Sequence, residues 1–190
     1  MREHLETGAQ ITAEERARLL PSLSTRAQLL EVEALGIRAA RAWAMRPAVL
    51  AGGSILSEAF CQGLHRRMFG SLWRGAGRYR AGDARDGWEP ARIPEGMRII
   101  LDDAEGWIRY STYPVHAAAV RLHHRMATIR PWSVGSHRHA RLLADVLVAS
   151  LGEAPLGWGR TAADPRRHYE EAVRLADGGD MGPLLEFARD

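Results

Sequence analysis

Ile129-Arg130-Pro131-Trp132-Ser133-Val134-Gly135-Ser136-His137-Arg138-His139-Ala140-Arg141 is the stretch whose reading decides the fold. Apolar residues at helical spacing lead into it (Ala118, Val120, Leu122, Met126, Ile129). Others lead out of it (Leu142, Leu143, Val146, Leu147, Leu151). Between the two helices stand a proline, a glycine and two arginines three residues apart. A tight turn that opens a helix exposes backbone N–H groups, and the helix N-terminus adds partial positive charge. Arg138 and Arg141, at i and i+3, share one face of that helix, where two guanidinium groups can grip the outer oxygens of one anion. Arg130 would add a third. The alternative is that these arginines pair with carboxylates of the chain itself.

The rest of the chain sets limits. Its 190 residues suffice for one domain with a real core, and 46% hydrophobic with 26% charged residues is ordinary for a globular protein. A net charge of +3 is too small to imply a direct nucleic-acid partner. Every cationic side chain apart from histidine is an arginine, since the sequence has no lysine, and it has no asparagine. A Schiff-base lysine is therefore excluded. The single Cys61 excludes an internal disulfide and reads as a small buried hydrophobe. No apolar run has the length of a membrane span and no secretory pattern opens the chain, so no membrane partner and a cytoplasmic location are expected.

Helical periodicity dominates. Residues 1–21 read as an N-terminal arm, with Thr12-Ala13-Glu14-Glu15 as a helix start, and residues 22–190 as one globular domain. A mostly buried helix is expected from Thr25 to Met45, and another capped by Ser54 and ending at Gly70. Residues 73–94 carry Gly75, Gly77, Gly82, Gly87 and Pro90 and read as irregular, with segments 77–80 and 88–93 pairing as a ragged hairpin. Helices then open at Pro94 (running to Tyr110, with Ile99, Ile100, Leu101, Trp107 and Ile108 inward), at Pro114 and at Asp164-Pro165. Asp177-Gly178-Gly179 ends the last of these, and Gly182 to Arg189 forms a short final helix. The fold class is all-α with one irregular excursion.

The central stretch resembles the signature of the Fic/Doc (Fido) family, H-P-F-x-D/E-G-N-G-R-x-x-R, and the chain is similar to the family's "mobile mystery protein B" group. The segments 64–70, 73–80, 122–126 and 178–187 carry the same resemblance. It implies a Fic-type helical bundle with a short β-hairpin flap, here about Arg78 to Ile93, that holds a target protein or peptide segment as an added strand. Arg78, Arg80 and Trp88 are the flap residues expected to meet that segment. It also implies a nucleotidyltransferase that transfers AMP, with a small antitoxin-like or helix-turn-helix partner in some relatives.

Set against that signature, the chain departs at the catalytic positions. Arg130 stands where the family has the histidine that takes a proton from the target hydroxyl, and an arginine has five donors and no acceptor. Val134 replaces the acid that holds Mg²⁺. Ser136 replaces the asparagine at the α-phosphate, and His137 replaces the second glycine, a strained choice if that position needs φ > 0. Pro131, Gly135, Arg138 and Arg141 match, and Trp132 replaces phenylalanine. Base catalysis is typically worth about 10²–10⁴ in rate, so standard AMP transfer is not expected. The phosphate-binding set is Arg130, Gly135, Ser136, His137, Arg138 and Arg141, with Arg130 and His137 as the catalytic candidates. The ligand is a nucleotide or other phosphorylated small molecule, bound without required Mg²⁺ or any other metal. His137 is either a relocated base or an exposed first-turn histidine.

The family's inhibitory helix places a glutamate on the second arginine. Glu33 is the candidate here, either paired with Arg141 or solvated on its helix. His123 and His124 read as core histidines, and Trp158 as structural. Three functions stay open: an altered-chemistry transferase, a non-catalytic Fic pseudoenzyme that binds a ligand or partner, and a toxin–antitoxin accessory.

Overall fold

The computed structural model describes residues 17–20, 23, 25–82, 84 and 87–190. Most of the expected arm, including Thr12 to Glu15, lies outside them. The described residues form an all-α array: α1 (Arg26–Ala44), α2 (Pro47–Leu50), α3 (Glu58–Phe69), a 3₁₀ turn (Pro90–Arg92), α4 (Ile93–Arg109), α5 (Val115–Ile129), α6 (Ser136–Ser150), α7 (Pro165–Asp177) and α8 (Gly182–Arg189). Helix α6 is the centre. It packs along α5 and also meets α3, while α1 lies against α3, α4 against α5, and α8 against both α7 and α5.

Local sequence explains most boundaries. Thr25 and Gln28 form a reciprocal capping box at the start of α1, with bonds of 3.3 and 3.2 Å. Asp164 caps α7 from its carboxylate to the Arg167 N–H, with Pro165 in the first turn. In α1 the buried residues are Leu29, Glu33, Ala40 and Ala44, one stripe. The mostly buried helix expected there is therefore wrong: Leu30 and Leu35 face solvent, because only α3 covers one side closely. Gly36 permits that closeness, since a Cβ there would sit 2.3 Å from the Met68 carbonyl oxygen.

Three further expectations are corrected. Ser57, not Ser54, caps α3: its hydroxyl accepts from the Phe60 N–H and donates to the Ser54 carbonyl, so the two serines cooperate and the helix starts later. Ile99 in α4 faces outward while Ile93, Met97, Ile100 and Ala104 form the buried face. No strand pairing occurs between segments 77–80 and 88–93 among the described residues. Their backbones dock elsewhere: the Arg80 N–H donates to the Pro131 carbonyl (3.0 Å), the Trp88 N–H to the Ile129 carbonyl (3.3 Å), and residues 90–92 coil into the 3₁₀ turn. The excursion is thus tied to the end of α5 instead of to itself. The isolated bridge seen is between Leu19 and Trp73.

No described helix is long and apolar enough to cross a membrane.

Candidate functional site

The loop between α5 and α6 begins and ends with a left-handed residue. Arg130 ends α5 at φ 50°, ψ 63°, and Gly135 precedes α6 at φ 66°. The glycine is required twice over, because a Cβ on it would lie 2.3 Å from the Phe69 ring. His137 sits inside the first turn of α6 with no positive φ, so the loop has no need of a second glycine and the histidine carries no backbone strain there.

Buried contacts hold the loop. Trp132 stacks between His65 (ring centroids 4.4 Å apart) and Tyr79 (5.2 Å). The Gly77 N–H donates to His65 Nδ1 (2.9 Å), which places the ring proton on Nε2, and Nε2–H donates to the Val134 carbonyl (3.0 Å). Burial pushes the His65 pKa down to about 4, so the ring stays neutral in this role. The Ser136 hydroxyl accepts from the Trp132 N–H and donates to the Trp132 carbonyl. Ser136 and Gly135 therefore brace the loop from behind and do not line the cleft in front of it.

That cleft, of about 630 Å³, lies between the start of α6 and the face of α7. Arg130, His137, Arg138 and Arg141 line one wall, and Arg166, Tyr169, Glu170, Val173, Arg174 and Asp177 the other, with Phe187 of α8 at one end. The structure so brings together four of the six residues expected at a phosphate. Arg141 lies over the Tyr169 ring at 3.9 Å from its centroid. Arg130 and Arg141 make no ion pair among the described residues. Nε of Arg138 and Nε of Arg141 are buried without a hydrogen-bond partner. The two cleft carboxylates are engaged, Glu170 with Arg166 (2.8 Å) and Asp177 with His124 (2.8 Å).

Glu33 is buried and pairs with Arg138, at 2.6 Å, not with Arg141. Its other oxygen accepts from Trp73 Nε1 at 2.7 Å. One turn of α1 therefore reaches the first motif arginine; the second is held by aromatic rings instead. The remaining expected residues sit apart. Arg80 is buried and turned inward: Nε donates to the Arg130 carbonyl (2.7 Å), Nη1 to the Gly82 carbonyl (2.8 Å) and Nη2 to the Trp88 carbonyl. Arg78 and Trp88 are exposed, the latter under the Arg92 guanidinium. Trp158 is structural, as expected, donating from Nε1 to Asp145 (2.9 Å), which also holds Arg41 (2.5 Å).

Sequence reasoning missed Tyr169. Its hydroxyl lies 2.8 Å from His137 Nδ1 and 3.1 Å from Nε2 of the buried His123. The available signal was a lone aromatic in the charged run Arg166-Arg167-His168-Tyr169-Glu170-Glu171.

Comparison with known proteins meets this geometry from outside. The sequence profile of the Fic/DOC family matches residues 55–148, the span from the approach to α3 through most of α6. The protein adenylyltransferase Fic of Nematostella vectensis is 26% identical over 129 residues, 65% of this chain and 29% of its own length. The Caenorhabditis elegans protein adenylyltransferase fic-1 is 26% identical over the same share of this chain and 25% of its own length. The chain thus spans less than a third of these relatives. Among solved structures, Fic-1 (residues 134–508) of C. elegans superposes with TM-score 0.72 at 23% identity, covering 93% of this chain and 52% of that one. BepC of Bartonella tribocorum, a VirB-translocated effector with bound AMPPNP, superposes with TM-score 0.71 at 12% identity, over 98% of this chain and 93% of its own. With the profile laid over the loop and helix that carry the arginine wall of the cleft, and the fold shared along nearly the whole chain, this protein belongs to the Fic/DOC family.

Proposed function

We propose that the arginine cleft takes a nucleotide or another phosphorylated small molecule without a required Mg²⁺, and that the chain is an altered-chemistry transferase in place of a standard AMP transferase. The observation that carries this is the meeting of Arg130, Arg138, Arg141 and His137 on one wall of the cleft. A phosphate supplies acceptors of the right charge, and its bonds to guanidinium are among the stronger hydrogen bonds. Support by analogy comes from relatives named adenylyltransferases and from a neighbour holding AMPPNP.

A magnesium ion does not fit the donor set. It takes oxygen ligands in octahedral array, Val134 offers no carboxylate, and Glu170 and Asp177 are already engaged. Arg130 would add like-charge repulsion nearby. Arg130 cannot act as a base, so the proton work falls to His137, the one imidazole among the described residues of the cleft wall. In the proposed step a target hydroxyl oxygen bonds to phosphorus, and the bond from phosphorus to the bridging oxygen breaks. The leaving phosphate carries off that electron pair, and the hydroxyl proton passes to His137.

A second reading is a pseudoenzyme that binds the same ligand without turnover, as an accessory or partner-binding protein. It is favoured by Val134 and Arg130 together, since both the acid and the base positions are changed. Calorimetric titration of ATP, ADP and pyrophosphate in Mg²⁺ and in EDTA tests the common core. The expected result is equal affinity in both buffers, with Arg138→Ala and Arg141→Ala each weakening binding by about 1.5–3 kcal/mol. Binding that requires Mg²⁺ overturns it. Consumption of ATP in the same samples then separates the transferase from the pseudoenzyme.

A further inference from the structure

We propose that Arg166 and Arg174 of α7 form a distal clamp, so that the cleft selects a chain of linked phosphates over a single phosphate. The inference rests on the phosphate-ligand reading of the same cleft, and it adds two binding residues that lie outside the motif loop.

The pattern of α7 places them. Arg166, Tyr169, Glu170, Val173, Arg174 and Asp177 all line the cleft. Their spacing by threes and fours is one face of a helix, while Ala172 and Ala176 lie on the buried side. Arg166 and Arg174 stand two turns apart on the cleft face, a rise of about 12 Å. On the other wall Arg138 and Arg141 stand about 4.5 Å apart along α6. A single phosphate held at the motif pair leaves most of the α7 face unused. A linked chain can extend along that face and collect the charge spread over it.

Both guanidinium groups are held by a carboxylate and still have donors to offer. Each has five N–H donors. Arg166 uses one of them, from Nε to Glu170 at 2.8 Å. Arg174 uses two, from Nε and Nη2 to the two oxygens of Glu171, at 3.1 and 2.5 Å. These are the side-chain hydrogen bonds of the two arginines among the described residues. The remaining N–H groups can therefore take phosphate oxygens without breaking either pair, and bonds of that kind are charge-assisted.

The same pairs make the clamp selective. Each of the two cations has its charge matched by a neighbour on its own helix, and the side chains are 42% exposed for Arg166 and 66% for Arg174. Alone, such a group adds little to the binding of a small anion from solution. An anion already anchored at the motif arginines is different. Its far end meets α7 at high effective concentration, and there a weak second contact raises the overall affinity. The lining as a whole carries five arginines against Glu170 and Asp177, which matches a ligand with several negative charges better than a ligand with one.

Calorimetry of the full chain in EDTA, at one ionic strength, with orthophosphate, pyrophosphate and tripolyphosphate tests this, by direct or competition titration. Wild-type affinity is expected to rise along the series. Arg166→Gln and Arg174→Gln are each expected to weaken tripolyphosphate by about three- to fivefold, the loss of one exposed charge contact, and orthophosphate by less than about twofold. Arg167→Gln removes the same charge from an exposed position of α7 that does not line the cleft, and it should leave all three anions within about twofold of wild type. Losses shared equally by the three anions, losses matched by Arg167→Gln, or unchanged tripolyphosphate binding in both cleft variants overturn the clamp. Wild type that binds none of the anions overturns the phosphate reading itself. ATP titrated in parallel tells the two sources of such a chain apart. A like loss for ATP in the cleft variants assigns the chain to a nucleotide, and a loss confined to tripolyphosphate assigns it to inorganic polyphosphate.

Discussion

Gly135→Ala tests the loop geometry most directly. The new methyl carbon would stand 2.3, 2.6 and 3.1 Å from Cζ, Cε2 and Cε1 of Phe69, a fully buried ring that has no open space to enter. Overpacking of this kind typically costs about 1–3 kcal/mol. The backbone adds to it: φ is +66°, a left-handed conformation that costs an L-residue roughly 1–2 kcal/mol. Stiffening of the unfolded chain returns about 0.4–1 kcal/mol. The net loss expected is about 2–4 kcal/mol, a large part of the 5–15 kcal/mol typical of a domain. Urea denaturation measures it as a lower midpoint at unchanged slope. Adding Phe69→Leu should recover part of the steric term and none of the backbone term, so the double variant should be more stable than the sum of the two single losses. A loss below about 1 kcal/mol for Gly135→Ala, or strict additivity in the double variant, would show that the ring and the turn are not in the contact described.

Other outcomes follow from the same site. Arg130→His alone should yield no strong self-labelling with radiolabelled ATP, because Val134 still offers a metal no carboxylate; strong labelling would refute that reasoning. Glu33→Gln should raise pyrophosphate affinity several-fold in calorimetry, by releasing the Arg138 guanidinium, while the amide oxygen can still accept from Trp73 Nε1. Acid should destabilise the fold through three buried neutral histidines. His65 and His139 have pKa values lowered to about 4 and about 3, and that of His123 is also well below the ordinary 6.5. The unfolded chain binds these protons first, so stability is fully present above about pH 6.5 and falls as pH drops toward 4. Each group contributes up to about 1.4 kcal/mol per pH unit. Denaturation midpoints that stay flat from pH 7 to pH 5 would contradict this.

Much of the architecture was legible because it is written locally. A threonine three residues before a glutamine, an Asp-Pro pair and a Gly-Gly stop specify helix ends through bonds made within one turn. Gly135, Arg138 and Arg141 were legible because spacing alone puts them at a helix start. What failed depends on contacts distant in sequence. Ser54 and Ser57 are equally good caps by type, and the chain caps with Ser57 while Ser54 offers only its backbone carbonyl. The excursion was read as a hairpin because its glycines suit one, but the carbonyls at the end of α5 compete for its N–H groups. From sequence Glu33 is either a partner of Arg141 or solvated on its helix, yet it meets Arg138, and the Tyr169 ring, 28 residues beyond Arg141 along the chain, covers that second arginine. Nothing local announces such a choice of partner.

Arg80 ties the excursion and the cleft wall into one piece. A single guanidinium gathers carbonyls from Gly82 and Trp88 on the excursion and from Arg130 at the end of α5, while its own N–H holds Pro131. It works like a keystone seated where two arches meet. The outer excursion and the peptide whose side chain looks into the cleft therefore share one joint, and Arg80 is the side chain that makes it.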